Sequence, residues 1–261
     1  MKKTLTPRYN SKRKLIIKLK HYCEVKVMFI YIILEGASNV EESKEVLEKT
    51  LKKPILIVNY DEVSIEMIEE LKPLGIISSG SGIKFQDFEL TKLYPLHEVI
   101  KKTNIPILCI CASHQLLSYF YSENIYESDK FYDRPIRELN QDENLPRFTD
   151  KNNIEYWNHF KAYGFFRITL KKADPLFKGL SEEPFMKCNH YCEIKKLPNE
   201  FELLASSRNT AIEAMKHKEK PLYGVQFHPE CAEEPFVEGI KLLENFKAIA
   251  VDFRENKETS L

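Results

Sequence analysis

Short apolar runs separated by amphipathic stretches characterise the first half of the chain. The apolar runs predict buried β-strands at residues 29–34, 55–58, 75–77 and 105–110. Apolar residues at helical spacing predict α-helices at residues 41–53, 65–71 and 94–102. Because repeated βα units of this length favour a parallel sheet, the pattern predicts an α/β fold, with a mostly parallel open sheet flanked by helices.

The second half of the chain is less regular. Residues 121–163 are rich in Tyr, Asp, Glu and Asn, which is typical either of a surface insertion or of a lid or partner-docking element. Beyond them, the pattern predicts strands at residues 165–170, 201–204, 211–215 and 223–227, and a long closing helix at residues 235–253. We therefore predict a basic extension at residues 1–27, one domain at 28–254 with a polar insertion at about 121–163, and a tail at 255–261.

Charge is balanced over the whole chain. Lys+Arg and Asp+Glu both number 39 in 261 residues, so the formal net charge is zero. This balance excludes a chain-wide electrostatic surface for nucleic acid or acidic membranes, and we expect neither as a partner. The first twenty residues nevertheless hold eight Lys and Arg and no acid. Such a segment is typical of a solvated extension, a nucleic-acid or partner-binding arm, or a transit peptide.

Cysteine and glycine usage narrow the class of protein further. Six cysteines occur without a recognisable secretory signal, which favours a reducing, cytoplasmic compartment. The longest apolar run, residues 27–34, is far shorter than the roughly 20 residues that span a bilayer. The eight glycines form neither GxGxxG nor GxxxxGK[ST], so these nucleotide-binding loops are excluded and no cofactor is predicted.

A candidate nucleophile lies where the predicted strand 105–110 runs directly into a helix-like segment. The thiol of Cys111 stands at this corner, where the N-terminus of a helix favours the thiolate form. A sharp strand-to-helix turn presents such a side chain at the carboxyl edge of a sheet, and it requires small residues two positions before and after. Cys109 and Ser113 meet that requirement. Taken alone, Cys111 is more typical of a buried structural thiol than of a nucleophile.

Two further stretches supply partners for a nucleophile. The apolar run 221–227 ends in His228-Pro229-Glu230, where the imidazole can act as a base and the carboxylate can orient it. The predicted strand 75–77 runs into a loop of small residues whose N–H groups can face a developing oxyanion. Together the three stretches predict nucleophile, base, orienting acid and oxyanion site.

These stretches resemble the class I glutamine amidotransferase family, which has a G-x-C-x-G-x-Q elbow, a late H-P-E and an S-G-G oxyanion loop. The resemblance covers about residues 28–250 and implies a flavodoxin-like three-layer fold. It implies Cys111 as nucleophile, His228 as base and Glu230 as orienting acid. It also implies an oxyanion and substrate site formed by Gly80, Ser81, Gly82, Ala112, Gln115, Asn189 and His190.

The chain departs from the family pattern in three places, and in the oxyanion loop Ser81 replaces the second glycine and Gly82 the usual proline. Cys109 and Ser113 replace the two elbow glycines. The family's substrate-binding S-H-x-D becomes Asn189-His190-Tyr191-Cys192, so that Cys192 stands where the resemblance implies an acid that meets the glutamine α-amine. The spacing Cys188-x-His190-x-Cys192 lacks the second half of a metal-binding motif, and no metal site is predicted.

The resemblance implies hydrolysis of the glutamine side-chain amide through a cysteine thioester. The ammonia would pass to a separate synthase or synthetase subunit, because the chain carries no ATP-binding motif of an acceptor domain. Two alternatives stay open. One is a stand-alone γ-glutamyl hydrolase or peptidase acting on a γ-glutamyl amide, and the other is a catalytically impaired regulatory homologue.

Overall fold

The computed structural model describes residues 27–141, 143 and 158–259. Nearly all of the predicted basic extension, residues 1–26, lies outside the described residues. Residues 142 and 144–157 of the predicted insertion and residues 260–261 of the predicted tail also lie outside them.

Eight strands of the described chain form one mixed sheet in the order β2-β1-β3-β4-β10-β9-β8-β6. The first five in this order pair in parallel. They are β2 Ile55–Asn59, β1 Phe29–Ile33, β3 Gly75–Ser78, β4 Ile107–Ile110 and β10 Leu222–Val225. The remaining three pair antiparallel and are β9 Ala214–His217, β8 Phe201–Ser206 and β6 Thr169–Leu170.

Helices cover both faces of the sheet. They are α1 Val40–Leu51, α2 Ile65–Leu71, α3 Leu90–Lys102, α4 Ala112–Ser122 and α5 Glu238–Glu258. Along β1 the side chains alternate between two cores, with Ile30 packing in the cluster that contains α2, α3 and α4 residues and Phe29 in the cluster that contains α1 and α5 residues. The three-layer α/β fold predicted from the sequence is therefore confirmed, with an antiparallel extension at one side of the parallel strands.

The structure differs from the predicted elements at several boundaries. Helix α3 begins at Leu90, four residues before its predicted start, and accommodates Pro95 in its interior. A second sheet of two antiparallel strands, β5 Ala162–Arg167 and β7 Phe185–His190, stands apart from the large one, and β7 was not predicted. Helix α5 continues to Glu258, five residues past the predicted end. No helix in the described part of the chain is long and apolar enough to cross a membrane.

The topology brings three chain segments together at one edge of the sheet. Strand β4 pairs in parallel with β3 on one side and with β10 on the other. Because parallel strands end at the same edge, the loop after β3, the start of α4 after β4 and the turn after β10 all meet there. These are the segments in which the sequence predicts oxyanion loop, nucleophile and base.

Candidate active site

Cys111 forms the corner between β4 and α4 in a backbone conformation that non-glycine residues rarely adopt. Its φ is 51° and its ψ is −107°, and its side chain is buried. The corner is held from both sides, because the Cys111 N–H donates to Val225 O (2.8 Å) and the Cys111 carbonyl accepts from Gln115 N (3.0 Å). Such strain persists only where the surrounding structure enforces it, and it concentrates at functional sites.

His228 and Glu230 form a close pair beside this corner. His228 Nδ1 lies 2.8 Å from Glu230 Oε1, and the His228 N–H donates to Lys187 O (2.7 Å). Burial acts to lower the pKa of His228, but the Glu230 carboxylate and the hydrogen-bonded Cys111 sulfur together hold that pKa well above its ordinary value. The structure therefore brings the three predicted triad residues into one contiguous arrangement.

Gly80 permits the close approach of His228 and Cys111. A Cβ added there would lie 3.0 Å from His228 Cε1 and 3.3 Å from Cys111 Cβ. Since real Cβ atoms rarely approach that closely, any larger residue would push the imidazole or the corner out of position. The glycine at this position serves the geometry of the site.

The rest of the predicted oxyanion loop is held by hydrogen bonds to residues 35 and 36. Ser81 Oγ donates to Glu35 O (2.6 Å) and accepts from Ile83 N (3.2 Å). The Gly82 N–H donates to Gly36 O (3.1 Å) and is therefore engaged in holding the loop. Ala112 is the first residue of α4, so helix geometry provides no intrahelical acceptor for its N–H.

Two buried glutamine side chains link Cys192 to the Cys111 sulfur through hydrogen bonds. Gln115 Nε2 donates to Cys192 O (2.8 Å) and to Gln226 Oε1 (3.0 Å), and Gln226 Nε2 in turn donates to Cys111 Sγ (3.6 Å). The sequence pattern predicted Gln115 at the site but did not indicate Gln226. The sequence feature that could have indicated Gln226 is a lone amide in an otherwise apolar run before His228. In the structure this amide is fully buried.

The predicted substrate residues line a cavity of about 330 Å³ together with the triad. Asn189 is exposed at its wall, whereas His190 is buried and donates from Nδ1 to Cys192 O (2.9 Å). Burial lowers the pKa of His190 to about 3, so this imidazole is neutral. The part of the cavity wall that His190 forms is therefore uncharged.

Comparison with known proteins agrees with this geometry. The sequence matches the family described as glutamine amidotransferase class-I over residues 36–249. The chain belongs to this family.

Relatives of this amidotransferase are known by name. The chain is 32% identical to the glutamine-hydrolysing GMP synthase subunit of Pyrococcus furiosus over 71% of this chain and 80% of that protein. It is 30% identical to the glutamine-hydrolysing GMP synthase subunit of Methanococcus maripaludis strain C6, over 87% of this chain and the whole of that protein. A crystal structure described as that of a putative GMP synthase subunit from Thermoplasma acidophilum matches with a TM-score of 0.66 and 25% identity, covering 90% of this chain and all of that one. The predicted class of function, a glutamine amidotransferase, is confirmed, and neither alternative is favoured.

The departures from the family pattern have local explanations. Ser113 is fully buried, and its hydroxyl bonds to Ser79 O and lies 2.8 Å from Ser78 Oγ, so it joins the start of α4 to the oxyanion loop. Cys109 is aligned in the sheet with Ser78 on one side and Gly224 on the other, and both neighbours are small. The amidotransferase elbow therefore closes without glycine at either position.

The cluster around His190 differs from the one considered in the sequence. The side chains of Cys188, His190 and Glu213 bring one potential ligand atom each to within 4.8 Å of the others, and all three are buried. Burial raises the pKa of Glu213 to about 7. Cys192, the third residue of the sequence motif, does not belong to this group. The absence of a metal site in this amidotransferase stays a prediction.

Proposed function

We propose that this amidotransferase is the glutamine-hydrolysing subunit of a two-subunit GMP synthase and supplies ammonia to a separate synthase subunit. The observation that carries the proposal is the match along the full length of a glutamine-hydrolysing GMP synthase subunit, combined with the assembled Cys111, His228 and Glu230. The relative that is matched over its whole length is itself named as a subunit, which supports a separate partner for the synthesis step.

In the proposed mechanism, the Cys111 thiolate attacks the side-chain carbonyl carbon of glutamine. The carbonyl oxygen becomes an oxyanion that accepts hydrogen bonds from the N–H groups of Ser81 and Ala112. Collapse of this intermediate breaks the C–N bond, while His228 gives its proton to the leaving nitrogen so that ammonia departs. A γ-glutamyl thioester on Cys111 remains.

The second half of the reaction restores the enzyme. His228, now neutral, removes a proton from water as the water attacks the thioester carbonyl, and the C–S bond breaks to release glutamate. Glu230 holds Nδ1 of the imidazole, which leaves Nε2 facing the reacting atoms.

The negative charge on the Cys111 sulfur links nucleophilic attack to the later release of a proton by His228. The Cys111 sulfur contributes to the raised pKa of His228, and this contribution vanishes when the thiolate attacks and forms a bond to the substrate carbonyl carbon. The imidazolium therefore becomes more acidic at the stage at which it must release a proton to the leaving group.

The test is a glutaminase assay followed by a coupled assay. Purified protein is incubated with glutamine and with γ-glutamyl amides, and glutamate release is compared between the wild type and Cys111→Ala. Adding the candidate synthase subunit with its other substrates must then give GMP with glutamine as nitrogen donor. Glutamate release that survives in Cys111→Ala, or release from γ-glutamyl amides alone, would overturn the proposal.

A further inference from the structure

A glutamine-binding cavity must bind a zwitterion, yet the acid that the family resemblance implies is missing from the segment after β7. Glutamine carries an α-ammonium group, and Cys192 stands where the sequence resemblance implies an acid to meet it. Among the described residues that line the cavity, the carboxylates are Asp133 and Glu230. Glu230 Oε1 already lies against His228 Nδ1. Asp133 is the carboxylate that the base does not use.

Asp133 reaches the cavity from the polar insertion, through backbone pairing with the segment after β7. Ile136 N donates to Tyr191 O (2.8 Å), and Glu193 N donates to Arg134 O (3.0 Å). The residues between these bonds, Pro135 and Cys192, form an antiparallel bridge. This pairing brings the part of the insertion that carries Asp133 against the segment after β7 that carries Cys192.

The charge of Asp133 is felt at Cys192. Burial raises the pKa of the Cys192 thiol, and the negative charge of Asp133 raises it further. The carboxylate therefore lies close to the position from which the family's acid is missing, although it belongs to a residue 59 positions earlier in the chain.

A second set of contacts fixes the orientation of Asp133. Its Oδ1 accepts from Phe85 N (2.9 Å), and its own N–H donates to Gln86 Oε1 (3.2 Å). Phe85 follows the oxyanion loop closely in the chain and lines the same cavity. The carboxylate is thus held between the oxyanion loop and the Cys192 segment before any ligand arrives, which lowers the entropic cost of binding.

We propose that Asp133 binds the α-ammonium group of the substrate and determines its specificity for an α-amino acid amide. The inference rests on the proposed glutaminase function. Lys161 and Lys187 line the same cavity, so the walls carry both signs of charge that a zwitterionic amino acid requires. Asp133 thereby makes its part of the polar insertion a part of the substrate site.

The first experiment separates binding from turnover. For Asp133→Asn, we expect the KM for glutamine to rise by about 30-fold, while kcat stays within about threefold of wild type. Asp129→Asn is the matched control, because Asp129 is an exposed acid in the same insertion and does not line the cavity. Alkylation of Cys111 by iodoacetamide, which has no α-amine, should proceed at the same rate in both variants and shows that the site is folded.

The second experiment moves the acid to position 192, in the segment after β7. In the double variant Asp133→Asn, Cys192→Asp, we expect the KM to recover to within about fivefold of wild type, because the lost charge pair is restored from the neighbouring segment. The wild type should also strongly prefer glutamine over 4-carbamoylbutanoate, which lacks the α-amine, and Asp133→Asn should lose most of that preference. A purely structural role for Asp133 would predict neither the rescue nor the lost discrimination.

Failure of this inference is distinguishable from failure of the proposed function. If the wild type hydrolyses glutamine and Asp133→Asn leaves the KM unchanged, the inference is wrong and the function stands. If the wild type does not hydrolyse glutamine, the proposed function fails. The inference is then tested by calorimetric titration of glutamine into two proteins, the single variant Cys111→Ala and the double variant that also carries Asp133→Asn. Weaker binding by the double variant supports it, whereas equal binding or no binding by either variant overturns it.

Discussion

The two sides of the cavity are built in different ways. On the side proposed for the reaction, Cys111 directly follows β4, and His228 lies three residues after the end of β10. These two strands pair in parallel. On the side proposed for the α-amine, Asp133 comes from an insertion and is held by hydrogen bonds to segments that are distant in sequence. The proposed catalytic residues are therefore positioned by the sheet, whereas the proposed substrate recognition depends on contacts between loops.

The strongest test of the reaction side removes the sulfur. Cys111→Ala should lower glutamate release by at least about 1000-fold, because the nucleophile acts as a unit with His228 and Glu230. Cys231→Ser, which changes an exposed cysteine close to the base, is the control and should keep wild-type turnover. Residual activity near the wild-type level in Cys111→Ala would mean that a different group attacks the substrate.

A second test displaces the base without changing its chemistry. Gly80→Ala should lower kcat by about 100-fold, because its Cβ would approach His228 Cε1 to 3.0 Å and misplace the imidazole. Gly82→Ala is the matched comparison, since its Cβ would come no closer than 3.4 Å to Gly36 O, and it should cost far less activity. Equal losses in steady-state assays of both variants would contradict this explanation of Gly80.

A third test concerns the buried acid beside His190. Burial raises the pKa of Glu213 to about 7 in the folded protein, above its ordinary value of 4.5. Below pH 4.5 both folded and unfolded chains hold this proton, but between pH 4.5 and 7 the unfolded chain loses it first. Stability is therefore lost as pH rises through this window.

Glu213→Gln should remove that loss. The free energy of unfolding of the variant minus that of the wild type is the quantity to compare. We expect this difference to be about 3 kcal/mol larger at pH 8 than at pH 4. Denaturant unfolding at the two pH values measures this, with Glu219→Gln as the control at a site where the side chain is exposed. A difference between variant and wild type that does not change with pH would contradict the raised pKa.

The smallest expected effect lies at the elbow. Ser113→Ala removes the hydroxyl that bonds to Ser79 O and contacts Ser78 Oγ, and it should lower the free energy of unfolding by about 1 kcal/mol. Glutaminase activity should fall only a few-fold, because the loop keeps its other anchor through Ser81 and Glu35. Thermal unfolding and kcat measured on the same preparation check both expectations, and a loss as large as that of Gly80→Ala would contradict them.

Local patterns predicted much of the fold and the reaction side. Strands β1 to β4 and helices α1 and α2 follow from apolar runs and helical spacing within single segments. Strand β7 was missed because it contains no apolar run, although Lys187 and Asn189 alternate with buried residues as in a half-buried strand. It pairs only with β5 in a separate small sheet. Gln226 was missed because its place in the site depends on hydrogen bonds to Gln115 and Cys111, two residues that are distant from it in the sequence.

The sequence by itself determined which residues could react. A cysteine between a strand and a helix, a histidine two residues before a glutamate, and a loop of small residues are local features, and adjacent parallel strands end at one edge. Only the tertiary structure decided that Gly82 donates its N–H to Gly36, that Ser113 ties the elbow to its neighbouring loop, and that Asp133 lines the cavity. These contacts join residues far apart in the chain, and their geometry depends on how the segments pack, which no local pattern records.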